Sequence, residues 1–211
     1  MAATPLIHVV DDDEAVRDSL TVLLEAAGFA VRAYESPTAL LGASLGTIGC
    51  VLTDVRMPEM DGLELQRRLR EAGRRLPVIV MTGHGDIPIA VEAMKAGAAD
   101  FLEKPFDDEQ LLASVRRAIA ASERVRDEAE AAADIVTRLA SLTPKEREVL
   151  DKLVEGLPNK TIAYDLGSSP RTVEVHRARV MEKMGARSLP ELVRMTIAVS
   201  GGPASVKPSR R

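Results

Sequence analysis

Residues 6–28 read LIHVVDDDEAVRDSLTVLLEAAG. Leu6–Val10 is an apolar run of strand length that stops at three acids, Asp11, Asp12 and Asp13. From Glu14 to Ala27 the apolar residues Val16, Leu20, Leu23 and Leu24 recur at helical spacing, and Gly28 supplies a C-cap. The stretch therefore reads as a strand ending in carboxylates, followed directly by an amphipathic helix. The same alternation continues outward. Ala30–Tyr34 is strand-like, and Ser36-Pro37 pairs an N-cap with a first-turn proline to open a helix through Leu45. Cys50–Thr53 is a third strand, and Gly62–Ala72 a helix closed by Gly73. Val78–Met81 is a fourth strand, and Ile87–Ala96 a helix closed by Gly97. Ala99–Leu102 is a fifth strand, and Asp107-x-x-Gln110 forms a capping box for the fifth helix. Five βα units predict an α/β fold, a parallel sheet covered by helices on both faces, with flavodoxin-like order 2-1-3-4-5.

No Gly or Pro interrupts the chain between Pro105 and Pro144, and this stretch is rich in Ala, Glu and Arg. The fifth helix is therefore expected to run on into a helical linker. Beyond it, Thr143-Pro144-x-Glu146 is a capping box whose helix ends at Gly156. Asn159–Leu166 is a short helix ending at Gly167. Ser169-Pro170 opens a third helix that runs to Met184 and stops at Gly185, and Ser188-x-x-Glu191 caps a fourth. The expected organisation is an α/β domain at 5–121, a linker at 122–140, a small four-helix domain at 141–200 and a disordered tail at 201–211.

Composition narrows the function. The chain is 45% hydrophobic and 28% charged, which excludes wholesale disorder, collagen-like repeats and a disulfide scaffold. The single cysteine, Cys50, allows no intrachain disulfide and suits a reducing cytoplasm. No apolar run approaches the ~18 residues of a membrane span. The N-terminus lacks the basic region of a signal peptide. Charge is uneven: residues 143–211 hold 13 Lys+Arg against 8 Asp+Glu, and residues 1–142 hold 15 against 24. An acidic front and a basic back predict two domains with different partners, the basic one a candidate for nucleic acid.

Asp11–Asp13, Asp54, Thr82 and Lys104 all follow or end predicted strands, so a parallel sheet gathers them at one edge, where ligands bind. Carboxylates crowded into a crevice repel and demand a cation. A hard dication such as Mg²⁺ binds through one or two of them and keeps open positions for water or phosphate oxygens. Lys104 and Thr82 add a charge and a hydroxyl suited to a phosphoryl group, and an Asp carboxylate can be its nucleophilic acceptor. The alternative for Asp13 is a plain helix N-cap.

VVDDDEAVR (9–17), LTDVRMPEMDG (52–62), VIVMTGHGD (78–86) and KAGAADFLEKPF (95–106) resemble the receiver domain of two-component response regulators. The resemblance implies that Asp54 accepts the phosphoryl group and that Asp11 and Asp12, with Asp54 and the Arg56 carbonyl, bind Mg²⁺. It leaves Asp13 outside the site. It makes Thr82 and Phe101 the switch residues and Lys104 the phosphate contact, with a cis Lys104-Pro105 bond. A phenylalanine at 101 cannot form the hydrogen bond of the tyrosine common there, so switching would be read through packing. The implied donor is a sensor histidine kinase. The implied consequence is homodimerisation through a surface including Val91, Lys95, Leu112 and Arg116, with no enzymatic activity beyond phosphoryl acceptance on Asp54.

In the basic half, Asn159–Leu166, a break at Gly167-Ser168, then Ser169–Met184 reads helix, turn, helix. The N-terminal end of the second helix is expected in a DNA major groove. Val173, Val180 and Met184 form its core stripe. Arg171, Thr172, Glu174, Val175, His176, Arg177, Arg179 and Lys183 are the candidates to face DNA, with Asn159, Lys160 and Thr161 on phosphates. The segment from Leu142 to Val193 resembles the LuxR-type helix-turn-helix. GLPNKTIAYDL (156–166), SPRTVEVHRARVMEKM (169–184) and GHGDIPIAVEAMKAGAADF (83–101) resemble regulators of nitrogen fixation most closely. Promoter DNA and RNA polymerase are the implied partners, and nitrogen-fixation or low-oxygen genes the implied targets. Two other readings compete. Asp11-x-Asp13 also resembles aspartate-nucleophile phosphatases of the haloacid-dehalogenase type, which place Thr or Val where Ala15 stands. The helical domain could instead bind protein, a case that salt-dependent DNA affinity separates.

Overall fold

The structure, a computed structural model, describes residues 4–83 and 87–199. The tail expected at 201–211 lies outside the described residues, as does His84–Asp86. Two compact units divide between Asp127 and Glu128.

In the first unit, β1 (Leu6–Val10), β2 (Ala30–Tyr34), β3 (Gly49–Asp54), β4 (Val78–Thr82) and β5 (Asp100–Glu103) form one parallel sheet of order β2-β1-β3-β4-β5. The intervening helices are α1 (Glu14–Ala26), α2 (Pro37–Gly42), α3 (Gly62–Glu71), α4 (Ile87–Lys95) and α5 (Asp108–Ala140). The two-residue period of the strands sorts their side chains into two cores. Ile7, Val9, Cys50, Leu52, Ile79, Met81 and Leu102 pack with Leu20 and Leu24 of α1 and Leu111, Val115 and Ile119 of α5. Val10, Val51, Val78 and Val80 pack with Leu40 of α2, Leu63, Leu65 and Leu69 of α3, and Ala93 of α4. Both faces of the central strands are dry, which is why they read as continuous apolar runs.

The helix starts follow the caps in the sequence. Asp13 accepts from Ala15 N at 2.9 Å, Ser36 Oγ from Ala39 N at 3.2 Å and Asp107 from Gln110 N at 2.7 Å. One expected helix is too long. α2 ends at Gly42, not Leu45, because Ala43 is extended (φ −82, ψ 155) and its N–H turns back to Leu40 O. This lets Leu41, Ala43 and Leu45 all reach the core. Tertiary packing there outweighs helical propensity.

α5 is continuous for 33 residues, so the fifth helix does run on through the stretch that lacks Gly and Pro. In the second unit, α6 (Pro144–Val154), α7 (Asn159–Asp165), α8 (Pro170–Met184) and α9 (Leu189–Val199) enclose a core of Val149, Leu150, Leu153, Ile162, Val173, Val180, Met184 and Leu192. The stripe of Val173, Val180 and Met184 is fully buried. Thr143 and Glu146 complete a reciprocal capping box at α6, and Gly185 ends α8 in the left-handed conformation at φ 66.

Candidate functional sites: an acidic crevice and a basic helix

The β1–β3 register pairs Val10 with Thr53, so Asp11 and Asp54 emerge side by side one strand spacing apart. The β3–β4 register pairs Asp54 with Met81 and so sets Thr82 one step beyond. Lys104 leaves the end of β5, where its N–H bonds Thr82 O at 2.7 Å. The Lys104-Pro105 peptide is cis. From there the ammonium spans the crevice, donating to Asp11 Oδ2 at 2.9 Å and Asp54 Oδ1 at 2.6 Å. Burial draws the Lys104 pKa down, but the hydrogen bonds and charges of Asp54 and Asp11 outweigh it, and the pKa stands above the ordinary lysine value.

The remaining carboxylate oxygens are also held. Asp11 Oδ1 accepts from Asp13 N at 3.0 Å and Asp54 Oδ2 from Arg56 N at 2.6 Å. Arg17 donates to Asp11 O at 2.8 Å, a brace that the sequence pattern did not single out. Asp11 is 2% exposed, whereas Asp12 sits exposed at the rim. Asp11, Asp12 and Asp54 against Lys104 leave a formal excess of two negative charges. The donors are all hard oxygens, the set that Mg²⁺ selects. Among the described residues no three His, Cys, Asp or Glu side chains converge as a cage. The donor set fits an ion held by one or two carboxylates and completed by other oxygens.

Thr82 is 1% exposed at the end of β4. Phe101 is half-buried and packs on the core beneath α2–α4, and it lines an apolar recess of about 620 Å³ with Ala90, Val91, Met94 and Lys95. Of the expected dimer residues, Val91 and Lys95 thus meet at Phe101. Arg116 is exposed on α5, and Leu112 is half-buried against the other core.

The second candidate site is α7–α8. Arg171, Thr172, Glu174, Val175 and Arg179 are exposed along α8, and Lys160 and Thr161 at the start of α7. Ser169 caps α8, its Oγ accepting from Thr172 N at 3.1 Å. Arg177 reaches Asn159 Oδ1 at 3.3 Å, tying the two helices together, and His176 is half-buried. Lys183 corrects an expectation. Expected to face DNA, it turns inward, donating to Glu146 Oε2 at 2.6 Å and Ser141 O at 3.2 Å. The first effect on Glu146 is that hydrogen bond. With the Thr143 N–H it holds the Glu146 carboxyl at a pKa of about 2. The ion pair joins α8 to the start of α6, so this lysine is part of the scaffold.

Two family models match. Residues 7–116 match the response regulator receiver domain, and residues 140–196 the bacterial regulatory proteins of the luxR family. The chain is 56% identical over 199 residues to the transcriptional regulatory protein FixJ of Azorhizobium caulinodans, covering 94% of each. The chain belongs to the FixJ-like response regulators. This regulator therefore carries a two-component receiver and a LuxR-type DNA-binding domain, in a family that takes its signal from a histidine kinase. It is 47% identical to the C4-dicarboxylate transport transcriptional regulatory protein DctR of Rhodobacter capsulatus, over 90% of this chain and 98% of that protein. The crystal structure of full-length FixJ from B. japonicum shares 49% identity at a TM-score of 0.56, covering 94% of this regulator and 98% of that chain. No helix among the described residues is long and apolar enough to cross a membrane.

Proposed function

We propose that this regulator is a cytoplasmic transcription factor switched by phosphorylation of Asp54. The observation that carries this reading is Lys104 bridging Asp11 and Asp54 at the carboxyl edge of the sheet, beside Thr82. A FixL-like histidine kinase presents a phosphohistidine. An Asp54 carboxylate oxygen attacks the phosphorus, the N–P bond breaks, and its electron pair returns to the imidazole, which takes up a proton. Asp11, Asp12, Asp54 and the Arg56 carbonyl would hold Mg²⁺, which when bound would neutralise charge on the phosphoryl oxygens. Lys104 then pairs with the phosphoryl oxygens, and the Thr82 hydroxyl moves to donate to them.

The new group adds roughly two negative charges and strong acceptors. Drawing Thr82 inward vacates volume that Phe101 fills, which reshapes the recess edged by Val91 and Lys95. That biases a two-state surface toward homodimerisation, with Arg116 and Leu112 at its α5 border. A dimer presents two recognition helices to two half-sites. Arg171, Thr172, Glu174, Val175, His176 and Arg179 face the groove, and Asn159, Lys160 and Thr161 the phosphates. Bound there, the regulator engages RNA polymerase. Higher identity to FixJ than to DctR favours nitrogen-fixation or low-oxygen genes as targets.

The test is DNA binding and sedimentation with and without a small phosphate donor and Mg²⁺, for wild type and Asp54→Asn. Phosphate-dependent dimers and specific binding in wild type alone are the expected result. An equal response from Asp54→Asn refutes the assignment of Asp54. Binding that stays weak and purely salt-sensitive in both refutes the DNA-binding switch.

A further inference from the structure

Asp11 and Asp54 are each held by hydrogen bonds to both carboxylate oxygens. Asp12 is different. It is exposed, and among the described residues its carboxylate receives no hydrogen bond or ion pair. Its direction is therefore set through the backbone on either side of it. On the far side, Asp13 N donates to Asp11 Oδ1 at 3.0 Å, which ties the Asp12–Asp13 peptide. On the near side, the Asp11–Asp12 peptide is held by its carbonyl oxygen, Asp11 O, which accepts from Arg17 Nη1 at 2.8 Å. A peptide unit is planar, so pinning its oxygen pins the plane from which Asp12 departs.

Arg17 is built to make this contact. Its N–H bonds Asp13 O at 3.1 Å in the first turn of α1, and Thr21 Oγ1 donates to its carbonyl at 2.8 Å. Helical side chains lean toward the N-terminus, so the half-buried guanidinium folds back over the turn between β1 and α1. For the helix alone the placement is a poor one. A cation within a turn of the N-terminus opposes the helix dipole, which favours acids there. The bond to Asp11 O gives Arg17 a role that helix formation does not.

We infer that Arg17 is a positioning residue for the Mg²⁺ site. It fixes the Asp11–Asp12 peptide, so that the Asp12 carboxylate has less freedom to lose when the ion binds. This rests on the reading of the crevice as a phosphorylation site. Outer residues that orient metal ligands in this way typically govern about 10–100-fold in metal affinity. Charge alone predicts the opposite sign. A guanidinium beside the crevice repels a dication, so by Coulomb's law its deletion tightens Mg²⁺ binding, whereas loss of positioning weakens it.

The test is Mg²⁺ titration of the full-length protein by calorimetry, with NMR of the Asp12 and Asp13 amides. The proteins are wild type, Arg17→Met, Arg17→Lys and Arg74→Met. Arg74→Met is the matched control. It removes a guanidinium that donates to Ala43 O at 2.8 Å and Leu41 O at 3.3 Å, ahead of β4 and so at the opposite edge of the sheet. Arg17→Met should weaken Mg²⁺ binding about tenfold and shift the Asp12 amide before any Mg²⁺ is added. Arg17→Lys, which keeps the charge and a donor, should stay within about threefold of wild type. Arg74→Met should bind as wild type does. With a small phosphate donor, Arg17→Met should need about tenfold more Mg²⁺ for its half-maximal rate yet approach the wild-type rate at saturation.

Binding by Arg17→Met that equals or exceeds wild type overturns the inference. So does an equal loss in Arg74→Met, which marks a general effect on stability, and so does a wild type that binds no Mg²⁺. Failure of the underlying reading shows elsewhere, as phosphorylation of Asp54→Asn at the wild-type rate. The Mg²⁺ affinities of Arg17→Met and wild type still decide the role of Arg17 in that case.

Discussion

Gly62→Ala should damage the phosphorylation crevice without touching any of its side chains. A Cβ on Gly62 would lie 2.3 Å from Asp54 O, 3.2 Å from Asp54 C and 3.2 Å from Thr53 Cγ2. Ordinary contact begins near 3.4 Å, so roughly 1 Å of retreat is needed. β3 cannot supply it, being hydrogen-bonded to β1 on one side and β4 on the other. The first turn of α3 must therefore lift away, stretching the Gly62 N to Val55 O bond of 3.0 Å. Overpacking of this kind costs about 1–3 kcal/mol, and a lost backbone hydrogen bond about 1 more. The receiver should lose about 2–4 kcal/mol, read as a lower midpoint with unchanged slope in urea unfolding followed by circular dichroism. Phosphorylation of Asp54 by a small-molecule donor should slow in parallel. Gly42→Ala is the matched control. It closes α2, has nothing within 4 Å of its Cβ, and does not need a positive φ. It should be neutral or stabilise by up to about 1 kcal/mol. A Gly62→Ala protein within about 0.5 kcal/mol of wild type would refute the close approach on which the reasoning rests.

Three further outcomes are expected. His8 is fully buried on β1 with Nδ1 at 3.0 Å from the Tyr34 hydroxyl and Nε2 unpartnered, and burial, aided by Arg32, pushes its pKa down to about 4. Its contribution to stability is complete above pH 6.5 and is lost as pH falls from there toward 4, because only the unfolded chain takes the proton. The slope is at most about 1.4 kcal/mol per pH unit, and His8→Phe should flatten the urea midpoint's pH dependence across that window. Lys183→Met should lower the melting temperature of the helical unit yet leave the salt dependence of DNA binding intact. Arg179→Met should do the reverse, reducing the slope of log K against log salt by about one. The stabilisation from Glu146 is present above pH 4.5 and fades as pH falls toward 2, so the two proteins' melting temperatures should converge in acid. Gly185→Ala should cost about 1–2 kcal/mol in thermal unfolding. The left-handed φ of 66 penalises a Cβ, whereas the Arg138 guanidinium in its way, 2.3 Å off, is the end of a flexible chain and can move.

The features legible in the sequence are those governed by near neighbours. Strand and helix periods, the caps at Asp13, Ser36, Asp107, Thr143 and Ser169, and the glycine stops at Gly28 and Gly185 each depend on residues a few positions away. Alternation of strand and helix then selects the parallel sheet, and handed crossovers its order. The gathering of Asp11, Asp54, Thr82 and Lys104 at one edge follows from that topology, so the crevice too could be read before any coordinates.

Direction, pairing and available space were decided only by tertiary structure. Lys183 carries the same charge and helical spacing whether it faces DNA or Glu146, and it is the packing of α8 on the start of α6 that turns it inward. α2 stops at Gly42 because two apolar residues after it, Ala43 and Leu45, find the core, a gain that exceeds the helical turn forgone. Lys104 bridging two carboxylates and Arg70 lying over Gly97 join groups distant in the chain. Local propensity acts over a few residues, whereas a charge's partner and a cleft's volume are set by which surfaces the folded chain brings within a few ångströms.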